Sequence, residues 1–318
     1  MKKLSKESYQ RMRAWIYRYA FHVDLTTFQF FLEGGSNEAV VQALSFYQNK
    51  DGGFVSFDPD CWNPNSSPLA TLSAYKTLRD VGIADKNHPM IKSMTRYIEN
   101  CEYCTDKGCF WSIPSNNQYP CQPFYLYPHA PWHPADWSAE CYTNGSYVDF
   151  ALTYFDKGSP MYDKIQSVID YRISIMSQYK EFCSFTYDIE QEIEANDWLE
   201  FILSLEKHGI KSKKECEELQ NNLLDIIREY AKPSVYKTVT NRIKEREVIE
   251  TYGYITDDIL DEIIDSISNS RDWSENGLQC DNPEERLKEI TCVGNLLWPI
   301  VELIDKLRKL KQYNRIEF

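Results

Sequence analysis

The sequence predicts an all-α fold, and three observations carry that expectation. Apolar residues recur at helical spacing from the first segment to the last, as in Ile259, Leu260, Ile263, Ile264 and Ile267. No stretch sustains the alternation of a half-buried strand. Serine, proline and glycine fall where helices start and stop, as Ser66-Ser67-Pro68 does before one apolar run and Gly82 after it.

In chain order, residues 5–32 read as a first helix, with Tyr9, Met12, Ile16, Tyr19, Ala20 and Val23 on one side and Gly34-Gly35 as its stop. Ser36 caps a helix over 37–47, in which Val40, Val41, Ala43, Leu44 and Phe46 are apolar. Asp51-Gly52-Gly53 ends it, since glycine takes the left-handed conformation that a stop needs, and Phe54 returns a ring to the core. Residues 67–81 form the partner helix, and His88-Pro89 opens another over 89–100. Asp106-Lys107-Gly108-Cys109-Phe110-Trp111 then repeats the turn after 55 residues. Six prolines make 112–137 a long loop without regular structure. Helices resume over 142–155, 160–180, 188–208 and 212–231, the last ended by Pro233. A basic-acidic stretch, 236–251, leads into the helix capped by Thr256; Ser270–Ser274 looks like a worn third turn, and 283–311 closes the chain.

Helix, Gln48-x-x-Asp51-Gly52-Gly53-Phe54, Pro64-x-x-Ser67-Pro68, helix is a unit that resembles the repeat of the squalene-cyclase and protein-prenyltransferase superfamily. The resemblance implies an α/α toroid, with helical hairpins around a central cavity and residues 1–318 as one domain. It implies that Gln48 and Phe54 tie neighbouring helices together. It also implies that the aromatic and proline-rich loop at about 110–138 covers the cavity at one end of the barrel.

Composition limits the partners. With 42% hydrophobic and 26% charged residues, the chain is globular. A net charge of −13 argues against a nucleic-acid backbone or an anionic membrane as the main partner. Arg11, Arg13 and Arg18 interrupt any signal-like run after the leading lysines, and no segment has the apolar length of a membrane span, so a cytoplasmic protein is expected. Its ten cysteines are then expected as thiols.

Four constellations bear on chemistry. Asp58-Pro59-Asp60-Cys61 is nearest to the Asp-x-Asp-Asp acid of the triterpene cyclases, with cysteine in place of the last aspartate. Asp60 acts as an acid if burial raises its pKa, and otherwise Asp58 and Asp60 cap their own loop. Asp257-Asp258-x-x-Asp261 fits the magnesium-binding pattern of terpene synthases, but Thr256 makes these first-turn residues whose charge favours the helix dipole. Asp106 and Cys109, with His129, resemble the zinc ligands of the protein prenyltransferases, and Cys101-x-x-Cys104 adds a thiol pair. Finally, Trp111, Tyr125, Tyr127, His129, Trp132, His133 and Trp137 form an aromatic set that either lines a ligand pocket or plugs the barrel mouth.

The expectation is a toroid that acts on, or binds, a hydrophobic, isoprenoid-like small molecule. The alternatives are a non-catalytic toroid that holds a ligand or peptide and, third, a zinc enzyme. No cofactor is expected unless zinc is held.

Overall fold

The computed structural model describes residues 2–57, 60–122, 125–127, 144–185, 188–252, 255–268 and 294–318. Their regular structure is helical, and the fold is all-α. In chain order the helices are α1 (Lys6–Tyr19), α2 (His22–Phe28), α3 (Asn37–Ser45), α4 (Pro68–Asp80), α5 (Pro89–Asn100), α6 (Asn144–Tyr154) and α7 (Pro160–Ile175). They continue with α8 (Tyr179–Phe185), α9 (Asp188–Lys207), α10 (Lys213–Tyr230), α11 (Pro233–Tyr252), α12 (Asp257–Ser268) and α13 (Gly294–Gln312).

Serine caps set most starts. Ser5, Ser36, Ser67 and Ser159 each accept an otherwise unpaired first-turn N–H, and Ser212 with Glu215 forms a capping box. Proline sits in the first turn of α4, α5, α7 and α11, where its missing N–H costs nothing. Pro233 therefore opens α11 rather than only ending α10, and the stretch over 236–251 is helical.

The expected helix over 5–32 is interrupted. Ala20 and Phe21 are extended, with ψ of 143° and 159°, and the run after α2 widens into a π-helical turn, Gln29–Glu33, that stops at Gly34 with φ 76°. The proline-rich loop also carries a short 3-10 helix, Pro114–Gln118. The third turn expected at 270–274 lies outside the described residues.

The Asp-Gly-Gly turn is built against α5. Asn49 N–H donates to Gly53 O at 2.8 Å and Val55 N–H to Tyr47 O at 2.9 Å. Gly52 has φ +97°, and a Cβ there would lie 2.1 Å from Ser93 O. A Cβ on Gly53 would lie 2.6 Å from the Tyr97 ring, so both glycines are required by close approach to α5. Asp51 Oδ1 accepts from Gly53 N–H and Ser66 Oγ–H, and Gln48 Nε2–H donates to Gly52 O and to Met90 O of α5. Phe54 is fully buried, and its N–H donates to Thr71 Oγ1 in the first turn of α4.

The second turn has the same wiring in one residue less. Thr105 N–H donates to Gly108 O and Phe110 N–H to Tyr103 O, as the pairs 49/53 and 55/47 do above. Cys109 occupies the place of Phe54. It too is fully buried, and its N–H donates to Asn144 Oδ1 at the start of α6.

Two apolar cores result. The larger joins α3 to α7 with α9, α10 and α11, together with Val23 of α2, and α9 packs on α6, α10 and α11 within it. The smaller is formed by α1, α2, α12, α13 and both chain ends. There Leu4 pairs with Ile316 in a parallel bridge, Leu4 N–H donating to Arg315 O and Glu317 N–H to Leu4 O. The Arg315 guanidinium, 1% exposed, pairs with Asp257 at 2.8 Å and also with Asp261. Two aspartates of the magnesium-like pattern are thus engaged by an arginine, an ion pair that satisfies a buried cation.

Candidate functional site

The strongest constellation of charged groups lies where α4, α6 and α9 meet. Gly145 permits it. A Cβ there would stand 2.7 Å from Asp197 O and 2.9 Å from Phe201 N, so α6 and α9 approach closely only because residue 145 is glycine. One turn further on, α6 presents Asp149, 5% exposed at its side chain.

Asp149 collects four donors from two neighbouring helices and the residue after α9. Tyr75 Oη–H donates to Oδ2 at 2.8 Å and Arg79 Nη1–H at 3.0 Å, both from α4. Lys207 Nζ–H donates to Oδ1 at 2.7 Å, and His208 Nε2 lies 2.9 Å from the same oxygen. Burial pushes the Asp149 carboxyl up, but the bonds from Lys207, His208 and Tyr75 outweigh it and hold the pKa down at about 2. The group is therefore a fixed anion and not an acid catalyst.

Above it opens a cleft of about 580 Å³, whose walls include Arg79, Ser146, Asp149, Glu200, Glu206 and Lys207. Lys207 and Arg79 are 54% and 40% exposed, so their outer faces meet solvent while their inner bonds fix them to Asp149. In the same cleft, Glu200 Oε2 accepts from Ser146 Oγ–H and pairs with Lys76 at 2.8 Å. The cleft carries both signs of charge, with Arg79 and Lys207 anchored on Asp149 and Glu200 paired with Lys76.

A second charged cluster lies beneath. Arg172 of α7, fully buried, donates through Nη2 to Glu194 Oε1 at 2.7 Å and Asp197 Oδ2 at 3.0 Å, and its guanidinium stacks 3.8 Å from the Trp198 ring centre. Asp197 Oδ1 also accepts from Gly145 N–H. Burial pushes Asp197 up to about 7 against the pull of Arg172, and Glu194 is raised by burial as well. Two carboxylates facing one cation in a dry site compete for it, and both are pushed toward the protonated form.

The aromatic set is partly assembled. Trp111 stacks on buried Tyr125 at 5.7 Å, and Phe110 lies between Tyr127 at 6.0 Å and Tyr103 at 5.9 Å. Asn116 Nδ2–H donates to Tyr125 O, while Asn117 exchanges two bonds with the Tyr127 backbone, clipping residues 125–127 to the 3-10 turn. His129, Trp132, His133 and Trp137 lie outside the described residues.

Asp58 is also outside them, whereas Asp60 is buried and its carbonyl accepts from Gln122 N–H. For the zinc set, Asp106 is exposed, Cys109 is fully buried with its sulfur 2.9 Å from that of Cys104, and His129 is not described. No cluster of three or more His, Cys, Asp or Glu placed to hold a metal occurs among the described residues.

Sequence reasoning missed Asp149 and its partners. The available signal was Tyr75 and Arg79 at i, i+4 on α4, which lie on one helix face. No family model, curated protein or solved structure matches the chain.

Proposed function

We propose that the chain is an α/α toroid that binds a peptide-like ligand in the α4/α6/α9 cleft. The toroid is supported by the order of helix contacts. Helices α4, α6, α9 and α11 touch in succession, while α5 packs on α4, α7 on α6, and α10 on both α9 and α11. Lys309 of α13 reaches Glu245 of α11 at 2.9 Å and α13 also touches α2, a route by which the succession returns to its start. The two Asp-Gly-type turns with common wiring support a repeat of helical hairpins.

One observation carries the ligand class: a buried, fully ionised Asp149 holds Arg79 and Lys207 in fixed positions at a cleft mouth. Cations held in this way lose little side-chain freedom on meeting a carboxylate. Glu200 and Glu206 of α9, which line the same cleft, suit an ammonium group. A free amino acid or a short peptide has both charges, whereas a neutral isoprenoid has neither.

Calorimetric titration with a panel of unblocked tetrapeptides tests this. Binding that weakens with rising salt and is lost in Lys207→Met supports the reading, because exposed charges are screened. Peptides that give no heat, or bind Lys207→Met equally well, overturn it.

The stacked rings favour a second reading, a hydrophobic or cationic ligand under the loop. Native mass spectrometry that finds a co-purified lipid, displaced on mutating Trp111, would put this reading first.

A further inference from the structure

We propose that Cys104 and Cys109 form a dithiol–disulfide centre, with Cys101 as the exchange thiol through which low-molecular-weight disulfides reach it. The argument starts from backbone register. Thr105 N–H bonds Gly108 O and Phe110 N–H bonds Tyr103 O, so the bonds flank residues 104 and 109 rather than joining them. Cys104 and Cys109 are therefore a non-hydrogen-bonded antiparallel pair, the site at which facing Cα atoms come within about 4.5 Å. That separation lies inside the range a disulfide spans. The two sulfurs already lie 2.9 Å apart.

Cys104 and Cys109 are buried, so an external oxidant reaches them directly only on local opening. Cys101 can be reached. It is half-buried, lines an open cleft of about 630 Å³ beside Tyr97 and Tyr103, and its carbonyl accepts from Cys104 N–H at 3.1 Å. Its thiol also donates to Tyr97 Oη at 3.6 Å.

The chemistry balances with glutathione disulfide as oxidant. The Cys101 thiolate attacks one glutathione sulfur, forming a mixed disulfide and releasing one glutathione thiolate. Cys104 then attacks Cys101 Sγ and expels the second glutathione. Cys109 attacks Cys104 Sγ, closing the 104–109 bond and returning Cys101 as a thiolate. Two electrons pass to glutathione disulfide, and the two thiol protons end on two glutathione molecules. The hydrogen bond with Cys104 and then burial push the Cys101 thiol up, and burial raises Cys104 and Cys109. Exchange is accordingly slow at neutral pH, and the closed disulfide persists, because burial disfavours its reduced thiolates more than nearby Lys164 favours them.

An independent pair stands in the same register. Trp62 N–H bonds Pro120 O and Gln122 N–H bonds Asp60 O, which leaves Cys61 and Cys121 facing each other at a non-hydrogen-bonded position. The same oxidation links these two.

The test is peptide mapping of the intact protein after incubation with glutathione disulfide at pH 8.5, acid quench and alkylation of remaining thiols. Trypsin cuts at Lys107 and separates Cys101 and Cys104 from Cys109. The expected result is a 104–109 link with Cys101 alkylated, and a 61–121 link. Cys101→Ser keeps the 104–109 link but slows its formation about ten-fold or more. Cys104→Ser leaves a stable glutathione adduct on Cys101. A final Cys101–Cys104 link, complete alkylation of Cys104 and Cys109, or an unchanged rate in Cys101→Ser overturns the centre. Alkylated Cys61 and Cys121 overturn the second pair alone.

Discussion

The Tyr75 hydroxyl donates to Asp149 Oδ2 across 2.8 Å, joining α4 to α6 under the cleft, while Lys207 reaches the other oxygen from α9. One carboxylate thus fixes three helices. The substitution Asp149→Asn leaves Lys207 without its anion and Arg79 with Asp80 alone, and costs about 2 kcal/mol because both cations are partly exposed. Urea unfolding measures this, and an unchanged midpoint would mean that the network is idle.

The same residue sets a pH dependence. Its folded pKa of about 2 lies below the ordinary aspartate value, so its stabilisation is present above about pH 4 and is lost as pH falls through about 2. The amount is about 2 kcal/mol. Acid unfolding of Asp149→Asn should lack that part of the slope.

Asp197 works in the opposite direction. Burial raises it to about 7, so its favourable term is present below the unfolded value near pH 4 and is lost as pH rises through 7. Melting temperature should therefore decline between pH 5 and 8, and Asp197→Asn should flatten the decline. A wild-type profile that is flat over this range would show that the proton is not held.

Gly145→Ala should destabilise by about 3 kcal/mol, since the contacts at 2.7 and 2.9 Å are to backbone atoms of α9 that cannot rotate away. Far-ultraviolet circular dichroism melts would register the loss. An equally stable variant would mean that α6 and α9 can separate freely.

Arg315→Ala removes the cation shared by Asp257 and Asp261 and should cost about 3 kcal/mol. Hydrogen exchange should accelerate at Leu4 and Glu317, whose amides bond across the chain ends. Protection that is unchanged there would show that the arginine does not hold them.

Helix starts were legible because serine caps and first-turn prolines act within a few residues. The Asp-Gly-Gly turn was legible for a related reason, although its glycines answer to Ser93 and Tyr97 of a later helix as well as to local backbone. The break at Ala20-Phe21 has no glycine or proline to mark it; these residues turn the chain where α1 and α2 both pack into the smaller core. The Asp149 network was invisible, since its members come from segments far apart in sequence and only packing brings them together. Asp257 and Asp261 carried a pattern that suggests metal, and the residue that explains them is 54 positions downstream of Asp261.

The parallel bridge between Leu4 and Ile316 has a kinetic consequence. The larger core lies wholly within the middle of the chain, from Val23 to Ile243, so its contacts span less sequence than the bridge does and form earlier. Closing the ends spans nearly every residue, which costs little extra free energy because loop entropy grows only logarithmically, but it demands that the intervening helices already be in place. The smaller core is then expected to assemble last and open first, which pulse-labelled hydrogen exchange would read at Leu4 and Glu317. A chain wired in this way folds from its middle outward and unravels from its two ends.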